Sequence, residues 1–204
     1  MRPLPRTFYM RPTRTVARDL LGRYLVRSYR GAVLIGKIVE VEAYLGELDP
    51  ASHAYCGRTE RNSVMFGEGG HLYVYFTYGM HFCANIVTGH SGAGRAVLIR
   101  AVEPVAGVRS MKERRKASAS VQELTNGPAK LCQAFGIGRG ENGIDLMGKK
   151  IFVARGEPML RSEIAATTRI GISRGKELKW RYLVKGNPFV SRSRPRVPPG
   201  ETAR

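Results

Sequence analysis

Six apolar or alternating runs, most of them joined by connections too short for a parallel crossover, constrain this 204-residue chain more than any other feature. They fall at residues 24–29, 33–44, 72–77, 81–87, 96–102 and 150–154. Parallel neighbours need a dozen or more residues to return, so these runs must pair mostly antiparallel. Helical signals at 107–116, 121–124 and 128–135 come after most of the strands, and one more at 15–21 stops at Gly22. Elements segregated in this way predict an α+β fold rather than a βαβ repeat. The expected architecture is a single mixed domain with a curved antiparallel-rich β-sheet, surrounding helices and a protruding β-hairpin. At 43% hydrophobic residues the chain can bury one sizeable core. Pro3, Pro5 and Pro12, interspersed with Arg2, Arg6, Arg11 and Arg14, disfavour regular structure near the start. Residues 1–14 and 191–204 are therefore expected to be flexible basic arms, with the domain at 15–190.

Lys and Arg total 34 against 16 Asp and Glu, a formal net charge of +18. A surplus of that size on so short a chain points to a polyanionic partner, with nucleic acid first among them. An acidic membrane surface would satisfy the same charge. Cys56, Cys83 and Cys132 are odd in number and lack CxxC spacing, which argues against a disulfide framework or a structural zinc site. No apolar run resembles a signal peptide or reaches the ~18 residues of a membrane span, so an intracellular protein in a reducing compartment is expected.

Alternation in Ile38-Val-Glu40-Val-Glu42-Ala-Tyr44 places Glu40, Glu42 and Tyr44 on one strand face and Val39, Val41 and Ala43 on the other. Taken alone, this is an ordinary solvated face. With a substrate nearby, Glu42 could act as a general base. The next two runs form a hairpin in which Tyr73, Tyr75 and Thr77 alternate with Leu72, Val74 and Phe76. His81, Cys83 and Asn85 continue the pattern after the turn at Tyr78-Gly79. Phe76 and Phe82 are expected in the core. Tyr78 and Met80 at the tip are not, and an exposed ring on a basic protein can wedge between base steps. His53, His71, His81 and His90 match no metal-ligand spacing, and no metal is expected. Asn126 could cap a helix beginning at Gly127-Pro-Ala-Lys130, aiming Lys130 and backbone amides at a phosphate; a plain surface lysine fits the spacing equally well.

Taken together, these residues resemble the alkyladenine (3-methyladenine) DNA glycosylases of mammalian type. The resemblance runs from Ala17-Arg-Asp-Leu-Leu-Gly22 through Ile38-Val-Glu-Val-Glu-Ala-Tyr-Leu-Gly46, Arg61-Asn62, Met65-Phe66, Leu72-Tyr-Val-Tyr75 and Tyr78-Gly-Met80. It continues in Leu98-Ile-Arg-Ala-Val-Glu-Pro104, Gly127-Pro-Ala-Lys-Leu-Cys-Gln133 and Gly186-Asn-Pro-Phe-Val190. It implies an enzyme that binds the minor groove of double-stranded DNA, flips a damaged purine into a pocket and hydrolyses its N-glycosidic bond. Glu42 would then deprotonate the water, held also by Arg100 and the backbone carbonyl of Ile172. Tyr44, His53 and Tyr75 would stack around the base, and Asn85 would screen the edge where guanine carries its exocyclic amine. Tyr78 would fill the vacated stack beside Met80 and His81, and Lys130 would meet a phosphate. His81 and Glu60 depart from the family pattern, which often has tyrosine and proline there.

The resemblance implies a monomer with no cofactor and no membrane partner. Two other readings remain open: a glycosylase/lyase whose nucleophile is Lys130 or another lysine, and a non-catalytic module that stacks single strands on Tyr73, Tyr75 and Tyr78.

Overall fold

The computed structural model describes residues 1–29, 31–77 and 79–191. Among them, eight strands form one sheet: β1 (Tyr24–Tyr29), β2 (Ala32–Leu45), β3 (Leu72–Thr77), β4 (His81–Val87), β5 (Arg95–Ala106), β6 (Ile151–Ala154), β7 (Ile164–Thr167) and β8 (Arg181–Val184). The main path runs β3-β4-β5-β2-β1-β6, with β8 joining β2 and carrying β7. Every strand pair is antiparallel, as the short connections require. Four short helices accompany the sheet: α1 (Arg6–Tyr9), α2 (Thr13–Leu20), α3 (Val108–Arg114) and α4 (Pro128–Phe135). The fold is α+β.

The long central strand β2 organises the molecule. Its first half pairs with β1 at residues 32–37, and further along Glu40, Val41 and Glu42 pair with β8; β5 runs along the opposite edge. Register shifts against β5 between Ile38 and Val41 insert a bulge. The bulge reverses the alternation. Leu34 and Ile38 face the main core before it, and Val41 and Ala43 face the same core after it. Beyond the bulge, Glu42 and Tyr44 are therefore turned to the opposite side of the sheet.

The two sides differ in what covers them. On one, Leu72, Val74, Ala84, Ile86, Val97, Ile99, Val41 and Ala43 pack with Val16, Ala17 and Leu20 of α2 and with Leu131, Cys132, Ala134 and Phe135 of α4. On the other, a smaller cluster of Ala54, Met65, Tyr73, Val87 and Ala96 sits beneath the segment between β2 and β3. The first layer carries most of the apolar burial. The second leaves room for a cavity.

The N-terminal segment departs from its expected flexibility. Leu4 donates its amide to Val153, Arg6 reaches the Gly69 carbonyl at 2.8 Å, and Tyr9 is fully buried with its carbonyl accepting from Gly89. Pro5 and Pro12 precede α1 and α2 rather than preventing them, because a helix start needs no proline amide. At the other end Ser191, expected in a tail, is buried, while residues 192–204 lie outside the described residues. Phe76, expected in the core, is 39% exposed and rests against Phe82 at 5.1 Å between ring centroids.

Candidate active site

Strand register assembles the site. Tyr73 on β3 lies opposite Asn85 on β4, Asn85 opposite Leu98 on β5, and Leu98 opposite Glu42 on β2. Four residues far apart in sequence thus form one row across the sheet, all on the side away from the helices. Tyr75 and Cys83 make the next pair along the hairpin. A cavity of about 420 Å³ opens over this row. Its lining includes Tyr44, His53, Tyr73, Tyr75, Asn85, Leu98 and Arg100, with Ile170, Gly171, Ile172 and Ser173 as a further wall.

Glu42 lies just beneath that lining, fully buried. Its Oε1 accepts from the Ile170 amide at 2.8 Å and lies 3.2 Å from the Arg100 guanidinium, while Oε2 accepts from the Tyr44 hydroxyl at 2.8 Å. All three partners line the cavity. Each carboxylate oxygen has about two acceptor positions, so Oε1 is fully engaged and Oε2 keeps one open. The solvated-face reading of this strand fails here, because Glu40 is fully buried as well.

Behind Glu42 a balanced set of charges holds the floor together. Glu40 accepts from Arg100 Nε at 2.9 Å, Arg181 Nε at 2.6 Å, and the amide and hydroxyl of Ser191 at 2.6 and 2.8 Å. Arg169 pairs with Asp49, both side chains being fully buried. Three carboxylates, Glu40, Glu42 and Asp49, thus meet three guanidiniums, Arg100, Arg169 and Arg181. Burial alone would lower the Arg100 pKa, but Glu42 and Glu40 more than reverse that and leave it raised.

The cavity walls are rings in their neutral forms. Burial raises the Tyr44 and Tyr75 pKa values well above the phenolic range, and it pushes Tyr73 up to about 12. Additional causes are Glu42 beside Tyr44 and Cys83 beside Tyr75. His53 stands edge-on to Tyr75 at 4.4 Å, and its Nδ1 meets the Tyr73 hydroxyl at 3.1 Å. Its pKa is lowered, first by loss of solvent around the charged form and then by the charge of Arg61. The loop bearing His53 is fastened by Asn62, whose amide group donates to the carbonyls of His53 and Gly57. Asn85 donates its side-chain amide to the Tyr73 carbonyl at 3.2 Å, which leaves its carbonyl oxygen for the cavity.

Of the residues singled out from sequence, Tyr44, His53, Tyr75, Asn85, Arg100 and Ile172 share this cavity, with Glu42 directly below. Met80 is 70% exposed and His81 exposed at the hairpin tip, whereas Tyr78 lies outside the described residues. Lys130 sits in the first turn of α4, next to the cavity-lining Pro128, with Nζ donating to Asn126 Oδ1 at 2.7 Å. Asn126 is therefore not the helix cap. Gly127 occupies that position, and no side chain caps the helix.

Sequence reasoning missed Glu40, Asp49, Arg169 and Arg181 as parts of the floor, and missed the place of Tyr73 in the cavity wall. The signal for Tyr73 was present, since it alternates in phase with Tyr75. Nothing local shows which groups the charged four pair with, because their partners lie up to 151 positions away.

A family model described as methylpurine-DNA glycosylase matches residues 7–188. Three similar bacterial proteins each bear the name "Putative 3-methyladenine DNA glycosylase". The one from Carboxydothermus hydrogenoformans is 55% identical over 190 residues, covering 93% of this chain and 98% of its own length. The Burkholderia orbicola protein is 47% identical over 95% of this chain and 93% of its own length. The Chlorobaculum tepidum protein is 44% identical over 98% and 95%.

Proposed function

The chain belongs to the methylpurine-DNA glycosylase family, and on that premise we propose that it flips an alkylated purine out of duplex DNA into the 420 Å³ cavity and hydrolyses the N-glycosidic bond with water activated by Glu42. The observation that carries this reading is the row Tyr73, Asn85, Leu98 and Glu42, which sets a carboxylate under a ring-walled cavity. The open acceptor position on Oε2 suits a water. Arg100 and the Ile172 carbonyl complete its hold, and the proton it loses passes to Glu42.

Glycosidic cleavage develops oxocarbenium character at the sugar, and a buried carboxylate stabilises that charge as well as activating the nucleophile. A purine alkylated at N3 or N7 already carries positive charge, so it leaves without a strong acid in the pocket. Tyr44, Tyr75 and neutral His53 face it with electron-rich rings, each such contact being worth roughly 0.5–2 kcal/mol. Asn85 discriminates at the edge where guanine bears its amine. Tyr78 occupies the gap in the stack, flanked by Met80 and His81, and Lys130 meets a backbone phosphate. The protein acts as a monomer on double-stranded DNA inside the cell. Deaminated purines, which are neutral, enter the same cavity and leave more slowly.

Chromatography of bases released from methylated and unmethylated duplexes tests the reading. Methylated purines should appear free, with the sugar-phosphate strand left intact. Retention of every base would refute the proposal, and borohydride trapping of the protein on DNA would favour a lysine nucleophile instead.

A further inference from the structure

Arg169 does not itself line the cavity, yet it lies against Tyr44 and directly precedes Ile170, which do. Its guanidinium forms a two-point pair with Asp49, at 2.5 Å to Oδ2 and 2.8 Å to Oδ1, and donates to the Ala43 carbonyl at 3.0 Å. Its charged carbon lies 4.7 Å from the centroid of the Tyr44 ring and 5.2 Å from that of Trp180, so the flat group is held against both aromatic systems. Asp49 in turn accepts from the amides of Leu45 and Ala51, which fixes the turn that carries Pro50 and Ala51 into the lining. The residue after Arg169 is Ile170, whose amide holds Glu42 and which begins the 170–173 wall. Gly175 closes over the guanidinium so tightly that a Cβ there would lie 3.2 Å from Nη2.

From this we infer that Arg169 is a positioning residue: locked by Asp49 and stacked on Tyr44 and Trp180, it sets the ring wall and the 170–173 wall at a fixed distance from Glu42. Lysine could supply the charge but neither the planar fork nor the flat face. Asp49 has a second task. It neutralises the cation behind Tyr44, which would otherwise oppose a positively charged purine stacked against that ring.

The inference rests on the glycosylase reading, and its test keeps the two apart. Single-turnover release of 7-methylguanine from a duplex is measured with enzyme in excess, alongside duplex affinity. Trp180, the only tryptophan in the chain, reports the clamp by its fluorescence. In Arg169→Lys, acrylamide should quench Trp180 more strongly, and the saturated excision rate should fall tenfold or more while duplex affinity stays within threefold. A wild-type rate, an equal loss of rate and affinity, or unchanged quenching would each overturn the inference. Should Arg169→Lys fail to fold, the nearly isosteric Asp49→Asn decides, with the same expected fall in rate and the same overturning result. Wild-type protein that releases no base would refute the glycosylase reading instead, and the quenching comparison would still decide the clamp.

Discussion

Glu42 can lose its charge without losing its shape, and this makes it the sharpest test at the scale of single residues. In Glu42→Gln the side-chain carbonyl still accepts from Ile170, and Arg100 keeps its pair with Glu40. The fold should therefore persist. Excision should fall by about 10²–10⁴, the usual contribution of a positioned general base, while binding to a lesion duplex is retained. A single-turnover rate within a few-fold of wild type would remove Glu42 from the mechanism. His53 adds a pH dependence of known sign. Its pKa lies below the ordinary 6.5, so the folded protein favours the neutral ring. The associated stability is complete above pH 6.5 and is lost as pH falls through the folded value. Over that same window an imidazolium would form beside Tyr73 and Tyr75 and repel a cationic base. Lesion affinity should drop on the acid side of 6.5 in wild type and drop less in His53→Gln, as fluorescence anisotropy at stepped pH would show.

At the scale of elements, Glu40 adds side-chain ties from β2 to Arg100 on β5, Arg181 on β8 and Ser191. Glu40→Ala leaves the Arg181 guanidinium without a carboxylate, leaves Arg100 with Glu42 alone, and removes the acceptor for both donors of Ser191. Breaking one side of a buried pair costs about 3–5 kcal/mol. For a chain of this length that lowers Tm by roughly 10 °C, and calorimetry would register it. A shift under about 2 °C would mean that the floor does not depend on this carboxylate. How much of the architecture the sequence disclosed follows from the same distinction between local and distant partners. β1, β3, β4 and α4 begin and end where alternation, a glycine turn and Pro128 place them. β7 and β8 were not legible, being four residues each with no apolar alternation. Nor could the bulge near Glu40 be read, since it is defined only by pairing with β5. The cavity was half legible: local motifs named its rings and its acid, but the row that unites Tyr73, Asn85, Leu98 and Glu42 is a matter of register between strands. The proline-rich start misled for a related reason, because Leu4 and Tyr9 find their partners near Val153 and Gly89.

For the molecule as a whole, the buried charges and the net charge are separate matters. Glu40, Glu42 and Asp49 balance Arg100, Arg169 and Arg181, so this cluster contributes nothing to the formal +18. The surplus belongs to the rest of the chain, where it can meet phosphates and displace their counterions. Such binding weakens with salt as about −0.9 in log K per log salt for each phosphate neutralised. Contact with about six phosphates would cost roughly 10³ in affinity between 50 and 200 mM salt. The buried pairs are shielded from the same ions, because screening acts mainly on exposed charges. Duplex affinity and chemistry should therefore respond differently. Across that range affinity should fall by orders of magnitude, whereas the excision rate at saturating enzyme should stay within about twofold. An affinity insensitive to salt would deny the surface charge its role. A saturated rate that followed the affinity downward would show instead that the charges around Glu42 are open to the solvent.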